Sequence, residues 1–367
     1  MRRALALARR GLGRTAPNPL VGAVVVRNGK VVGEGYHRGP GTPHAEIHAL
    51  AAAGRAARGA TLYVTLEPCG HTAKRTPPCA PEVIRSGVKR LVVGMVDPNP
   101  KVAGRGIRAI AATGIEVSVG VEDAACKALN APYARVMERG LPWVTLKFAQ
   151  TLDGKVATAT GESRWITGEV ARRHGHRLRD RHEAIMVGIG TVLADDPELT
   201  CRVRGGRDPL RVVVDANLAT PPTARVLTPG AQAPTILACV ADASIGQGKA
   251  LARAGAEVLR LPARNGRVDL TALLAGLAAR GVHRVLCEGG PTLAAELLRL
   301  GLVNRVACYV APAVMGGDDA RGSVAGRSPA ALADRVALGP FAVRRLGKDL
   351  LLEADVLDKA PPERLER

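Results

Sequence analysis

The chain has 367 residues, 47% of them hydrophobic but only 2% aromatic, and a formal net charge of +19. That length favours two domains, with cores that must be built from Ala, Val, Leu and Ile. No stretch is long and apolar enough to cross a bilayer, and the charge comes without long basic runs or base-stacking aromatics, which disfavours nucleic acid and favours small phosphorylated substrates.

Residues 1–10 carry the charges of a signal peptide without its apolar core or cleavage site, so they read as an amphipathic helix of a cytoplasmic protein. That helix is expected to lack a few residues before Arg3. Residues 21–26 and 30–35 predict a hairpin around Asn28-Gly29. An Ala-rich helix follows over 45–57, a β-branched strand over 61–66, a short helix over 81–86 and a strand over 90–96. Asp97-Pro98-Asn99-Pro100 must be a loop, followed by a helix over 106–112 and a strand over 116–119. A helix over 122–139 stops at Gly140 and Pro142, which closes a first domain at residues 1–140. This alternation predicts a layered α/β unit.

A second α/β domain, residues 143–358, opens with a strand over 143–148. Further strands are expected at 184–187, 210–214, 235–240, 257–261, 284–287 and 305–310, with helices at 168–181, 248–254, 270–280 and 292–300. Residues 359–367 are charged and are expected to fray.

The chemistry of the first domain concentrates in His44-Ala45-Glu46, Pro68-Cys69 and Cys79. This follows the H-x-E…P-C pattern of zinc deaminases. His44, Cys69 and Cys79 offer one imidazole and two thiolates, which leaves the fourth tetrahedral position open for water, as a catalytic zinc requires. Glu46 is placed to take a proton from that water and return it to a leaving nitrogen. His48 shares the helix face of His44, but a metalloprotease pattern needs Glu directly after the first His, where this chain has Ala45. The other cysteines, Cys126, Cys201, Cys239, Cys287 and Cys308, read as small buried thiols and not as disulfides.

In the second domain, Gly188-Ile189-Gly190 lacks the third glycine of a Rossmann fingerprint. Cys287-Glu288-Gly289-Gly290-Pro291-Thr292 is a different device: a strand end, two glycines and a helix start whose free N–H groups suit an anion. Proline there is also ordinary capping.

Four N-terminal segments carry a resemblance: residues 15–22 with Pro17-Asn18-Pro19, 44–50, 67–79 and 97–106. They resemble the deaminase half of the bifunctional riboflavin-biosynthesis deaminase/reductases. Residues 147–158, 161–167, 191–197 and 288–296 resemble the reductase half. The resemblance implies a zinc cytidine-deaminase-like α/β domain followed by a dihydrofolate-reductase-like α/β domain. It implies zinc and NADPH as cofactors and a homo-oligomer. The implied reactions are deamination of 2,5-diamino-6-(5-phosphoribosylamino)pyrimidin-4(3H)-one, then reduction of its ribosyl group.

By the same resemblance, Asn18, His71, Arg75 and Asn99 meet the deaminase substrate. Ala149, Trp165, Thr191, Asp195, Ala216 and the run Gly290, Pro291, Thr292, Leu293, Ala294, Ala295 and Glu296 meet NADPH. Ser163, Arg179, Leu199, Arg202 and Glu288 meet the reductase substrate, where Arg179 and Arg202 suit a phosphate. The plainer readings make Asn18 and Asn99 turn formers, Trp165 a core residue and Asp195 a turn cap. The ten-residue step from Cys69 to Cys79 is one longer than the family pattern, so the loop is expected to bulge and offer Lys74 or Arg75 to the phosphate. Lys155 and Glu288 are the candidate proton donors of the reductase. Competing readings are a deaminase with a degenerate second domain and an inactive RNA-binding relative.

Overall fold

The computed structural model describes residues 1–70, 77–228 and 233–357. The chain divides into two compact units, Met1–Pro142 and Trp143–Arg367.

The first unit runs α1 (Arg2–Ala8), β1 (Gly22–Arg27), β2 (Lys30–Tyr36), α2 (Ala45–Ala53), β3 (Thr61–Leu66), α3 (Cys79–Arg85), β4 (Arg90–Met95), α4 (Arg105–Ala111), β5 (Glu116–Val119) and α5 (Asp123–Arg139). Its five-stranded sheet has the order β2-β1-β3-β4-β5. The first three strands are antiparallel and the last three parallel. The core is aliphatic, with Leu62, Val64, Leu91, Val93 and Ile110 all fully buried. Small residues set the depth of α2. A Cβ at Gly33 would stand 2.2 Å from the Ala49 carbonyl oxygen, and one at Gly35 2.5 Å from that of Ala45. Only glycine lets the helix sit this close to β2, and that depth fixes its N-terminal end, where His44 and Glu46 stand.

The second unit runs β6 (Trp143–Gln150), β7 (Lys155–Ala157), α6 (Glu169–Arg181), β8 (Ala184–Gly188), α7 (Ile189–Asp195), β9 (Leu210–Val214), β10 (Thr235–Val240), α8 (Ile245–Arg253), β11 (Ala256–Leu261), β12 (Ala263–Arg264), β13 (Arg267–Val268), α9 (Leu270–Ala279), β14 (Arg284–Cys287), α10 (Pro291–Arg299), β15 (Arg305–Val310), β16 (Arg321–Gly322), β17 (Ala342–Leu346) and β18 (Asp349–Asp355). Nine strands form one sheet in the order β11-β10-β9-β8-β14-β6-β15-β18-β17. From β11 to β15 every pairing is parallel; β18 and β17 close the edge antiparallel. The strands β8 and β10 read as unbroken apolar runs because helices cover both faces.

Several elements depart from the sequence reading. The helix α3 begins at Cys79, two residues before Pro81, since proline is tolerated inside the first turn. The helix α7, the strand β18 and the edge strand β17 were not expected. The strand β17 is exposed almost throughout, so it lacks the alternation that betrays a strand. Of the five scattered cysteines, Cys201 is half-buried and the rest are buried, all as free thiols. The expected fraying of residues 359–367 falls outside the described residues.

Candidate active sites

Two helix starts and one strand end build the first site. His44 is the N-cap residue of α2, Cys79 is the first residue of α3, and Cys69 follows β3. Cys69 and Cys79 are tied together by backbone: the N–H groups of Cys79 and Ala80 both donate to the Cys69 carbonyl, at 3.0 and 3.1 Å. The donor atoms of His44, Cys69 and Cys79 lie within 4.8 Å of one another, the one such cluster among the described residues. His44 Nδ1 is 3.6 Å from Cys69 Sγ and 3.1 Å from Cys79 Sγ. Tetrahedral ligation with ordinary Zn–S and Zn–N bond lengths requires a separation of roughly 3.5 Å. This donor set therefore fits zinc, with three ligands and an open fourth position.

Glu46, 2% exposed, lies in the first turn of α2 beside His44. Burial pushes its carboxyl above the usual range, against the pull of His44. His48 does not join the cluster. It is half-buried one turn further along, and its Nε2 has no hydrogen-bond partner.

Asn18 and Asn99 divide. The Asn18 side-chain amide is 2.9 Å from His37 Nε2. His37 Nδ1 faces the Pro43 carbonyl at 3.3 Å, and its ring meets that of His44 edge-on at 5.3 Å. Asn18 is thus connected to the metal cluster through His37, a buried residue that sequence reasoning missed. Asn99 behaves as the turn former of the plainer reading, with its side-chain oxygen accepting the Lys101 N–H at 3.0 Å. His71, Lys74 and Arg75 lie outside the described residues.

Glu67 is a second missed residue. Its buried carboxylate accepts four backbone N–H groups, from Asp97 (3.3 Å), Gly104 (2.8 Å), Gly106 (3.0 Å) and Ile107 (3.4 Å). It staples the loop carrying Asn99 to the segment carrying Cys69. A Cβ at Gly106 would stand 1.7 Å from the Pro68 carbonyl oxygen, so only glycine allows this contact. Asp97 closes the same loop, accepting the Asn99 N–H at 2.8 Å and the Tyr133 hydroxyl at 3.1 Å. Burial, partly offset by those hydrogen bonds, pushes its carboxyl up to about 6.

The second unit holds a cleft of about 1120 Å³. Every residue predicted from sequence to meet NADPH or the reductase substrate lines it except Ala295, which is turned toward Gly326. At its centre, β8 and β14 are neighbours, and each ends in a glycine turn that starts a helix. The Gly188 N–H donates to the Gly289 carbonyl at 2.9 Å, locking the two turns together. Gly290 is the N-cap of α10 and Pro291 its first residue.

On the β6 side, Glu288 is gripped by Arg179 through Nε at 2.8 Å and a terminal nitrogen at 3.0 Å, and by Lys147 at 3.4 Å. Burial alone would raise its pKa, but Arg179 and Lys147 outweigh it and hold the carboxyl well below its usual range. Glu288 is therefore ionised, which removes it as a proton donor. Arg179 is also not the open phosphate fork expected, because Glu288 and the Thr200 carbonyl (2.9 Å) occupy most of it. Lys155 reaches the Ala320 carbonyl at 3.2 Å and is absent from the cleft lining. Lys147, not singled out from sequence, is the cleft's one ammonium among the described residues. Ser163 donates to Asp195 at 3.2 Å, while Asp196 accepts the distant Arg225 N–H at 2.8 Å. Trp165 is 68% exposed, which overturns the core reading, and Arg172 stacks 4.6 Å from its ring centre.

Residues 1–95 match the family described as the cytidine and deoxycytidylate deaminase zinc-binding region, and residues 142–352 match the RibD C-terminal domain. The riboflavin biosynthesis protein RibD of Actinobacillus pleuropneumoniae is 43% identical over 359 residues, covering 97% of this chain and 94% of its own. The chain belongs to the RibD family. The Escherichia coli RibD is 42% identical over 369 residues, covering 96% of this chain and 97% of its own. Among solved structures, Acinetobacter baumannii RibD superposes with a TM-score of 0.85 at 36% identity, covering 97% of this chain and 98% of the other. A diaminohydroxyphosphoribosylaminopyrimidine deaminase/5-amino-6-(5-phosphoribosylamino)uracil reductase from Thermotoga maritima gives 0.85 at 34% identity, with 97% of each chain covered. As a member of this family, the protein is a bifunctional deaminase and reductase of riboflavin biosynthesis that uses zinc and NADPH.

Proposed function

We propose that the first unit hydrolyses 2,5-diamino-6-(5-phosphoribosylamino)pyrimidin-4(3H)-one to its uracil, with His44, Cys69 and Cys79 holding zinc and Glu46 carrying the proton. The observation that carries this reading is the His44/Cys69/Cys79 cluster with a buried carboxyl in the same helix turn. A zinc ion there supplies Lewis-acid activation of a water molecule. Glu46 carries the two protons of the attacking water in turn, one to the ring nitrogen and one to the amino nitrogen. A ring C–O bond forms, the C–N bond breaks, and ammonia leaves. Asn18, held by His37, orients the pyrimidine from the opposite side of His44.

The second unit then reduces the ribose. NADPH supplies hydride. The Gly290 turn, where α10 presents free N–H groups, would hold its pyrophosphate. Ala149 and Lys147 on β6 would hold its nicotinamide end. Hydride adds to the anomeric carbon, the sugar ring C–O bond breaks, and Lys147 protonates the released oxygen. Glu288, fixed by Arg179, holds Lys147 in place. Trp165 walls the cleft mouth. Arg202, exposed and paired with Glu198 at 2.9 Å, remains a contact for the ribose phosphate.

We place the enzyme in the cytoplasm, as free cysteines suit a reducing compartment, and as a homo-oligomer. No helix among the described residues is long and apolar enough to cross a membrane. The test is Glu46→Gln. Zinc content by elemental assay is expected to stay at one per chain, while ammonia release falls about 10²- to 10⁴-fold. Ammonia release at the normal rate would overturn the assignment of Glu46.

A further inference from the structure

The cleft is charted by the strand order. Glycine turns cap its two central strands, β8 and β14. On one side lie β6 and β15, which carry Lys147, Ala149 and Tyr309; on the other lie β9, β10 and β11. Three strands span roughly 14 Å at ordinary spacing. If the pyrophosphate sits over the centre and the nicotinamide toward β6, the adenosine half must extend over β9 to β11.

At that far end stands a two-residue hairpin, β12–β13, turning through Asn265 and Gly266. Arg264 and Arg267 are cross-strand partners in it, and both line the cleft. Partners directly opposite project from the same face, where like charges repel. The Glu296 carboxylate attracts both from a distance, but it does not pair with either. Among the described residues neither arginine has an ion-pair partner, because nearby Glu296 is held by Arg299 and the Asp269 carboxylate caps α9. Most other arginines of the cleft are engaged: Arg179 with Glu288, Arg202 and Arg225 with Glu198, Arg164 and Arg172 over Trp165; Arg321 lies on β16, paired with β7 and away from the β12–β13 hairpin in the strand pairing. Two cross-strand arginines that form no direct ion pair are suited to a dianion.

We propose that Arg264 and Arg267 clamp the adenosine 2′-phosphate, the group that distinguishes NADPH from NADH, and so set the cofactor preference of the reductase. This rests on the reading of the cleft as the cofactor site, and the experiment separates the two. The Arg264→Gln/Arg267→Gln protein is compared with the unaltered chain. Calorimetry measures the binding of NADPH, NADH, 2′-AMP and 5′-AMP. Both positions are exposed, and matching thermal transitions verify the fold.

The unaltered protein is expected to prefer 2′-AMP to 5′-AMP and NADPH to NADH. In the double variant, affinity for NADPH and 2′-AMP falls about 10- to 100-fold, as loss of charged hydrogen bonds predicts. NADH and 5′-AMP stay within about twofold of the unaltered values. Equal weakening of NADPH and NADH, or no change in either, overturns the clamp. Failure of the unaltered chain to bind either dinucleotide overturns the cleft reading itself. Should the double variant not fold, Arg267→Lys is expected to keep part of the preference, and unchanged discrimination in it counts against the proposal.

Discussion

Glu288 concentrates the electrostatics of the reductase in one carboxylate. Its side chain is 10% exposed, with Arg179 and Lys147 almost as deeply placed. Removing one charge from such a group leaves the others without compensation. Glu288→Gln keeps shape but strands two cations, and about 3–5 kcal/mol of stability is expected to go. In a unit of this size that lowers the melting temperature by roughly 6–15 °C. NADPH oxidation on the deaminated substrate is expected to fall with it even well below the transition. A melting temperature within about 1 °C of the unaltered protein would show that the pair does not hold the cleft. The sequence marks Glu288 because it adjoins the Gly289-Gly290 turn. It cannot mark the partners, which lie 141 and 109 residues earlier in the chain. His37 is hidden for the same reason: alone in sequence, it acquires meaning only when folding brings Asn18 and His44 to either side of it. The zinc residues are legible because local spacing sets their chemistry, although the distance between His44 and the sulfurs is not.

At the scale of elements, the metal site depends on where α3 begins and where the loop before α4 lies. With α3 starting at Cys79, the thiolate enters at a helix N-terminus, where the helix dipole favours negative charge. Proline spacing had suggested a later start, since Pro81 looks like an opening residue until the helix is seen to contain it in its first turn. The loop is positioned by Glu67, whose four N–H donors leave no place for an amide nitrogen. Glu67→Gln turns one acceptor into a donor among donors, at about 1–3 kcal/mol for each bond lost. The expected readout is a zinc affinity reduced about 10- to 100-fold in competition with a chelator, as for loss of an outer-shell partner. Zinc affinity and ammonia release both unchanged would mean that the loop keeps its place without this carboxylate. The buried parallel strands were readable because burial on both faces makes them continuous apolar runs. The edge strand β17 and the small hairpin β12–β13 were not, because exposed polar strands carry no periodic signature.

For the molecule as a whole, the two activities depend on separate structural resources. The metal cluster draws on residues 44–79, and its supporting core is built within Met1–Pro142. The cleft is lined by residues 146–323 alone, and the sheet beneath it shares no strand with the first. Two cores of this kind fold and lose stability as separate cooperative units. Metal removal should therefore act on one of them. After dialysis against a strong chelator, ammonia release is expected to vanish and to return when zinc is restored. NADPH oxidation measured on the deaminated uracil should stay within about twofold of its starting rate. Calorimetric scans should show one transition lowered by chelation and another unmoved, the second rising with NADPH as mass action requires. If chelation instead reduced NADPH oxidation in step with ammonia release, the two cores would have to be one folding unit, and the separate sheets of β1–β5 and β6–β18 would not be energetically independent.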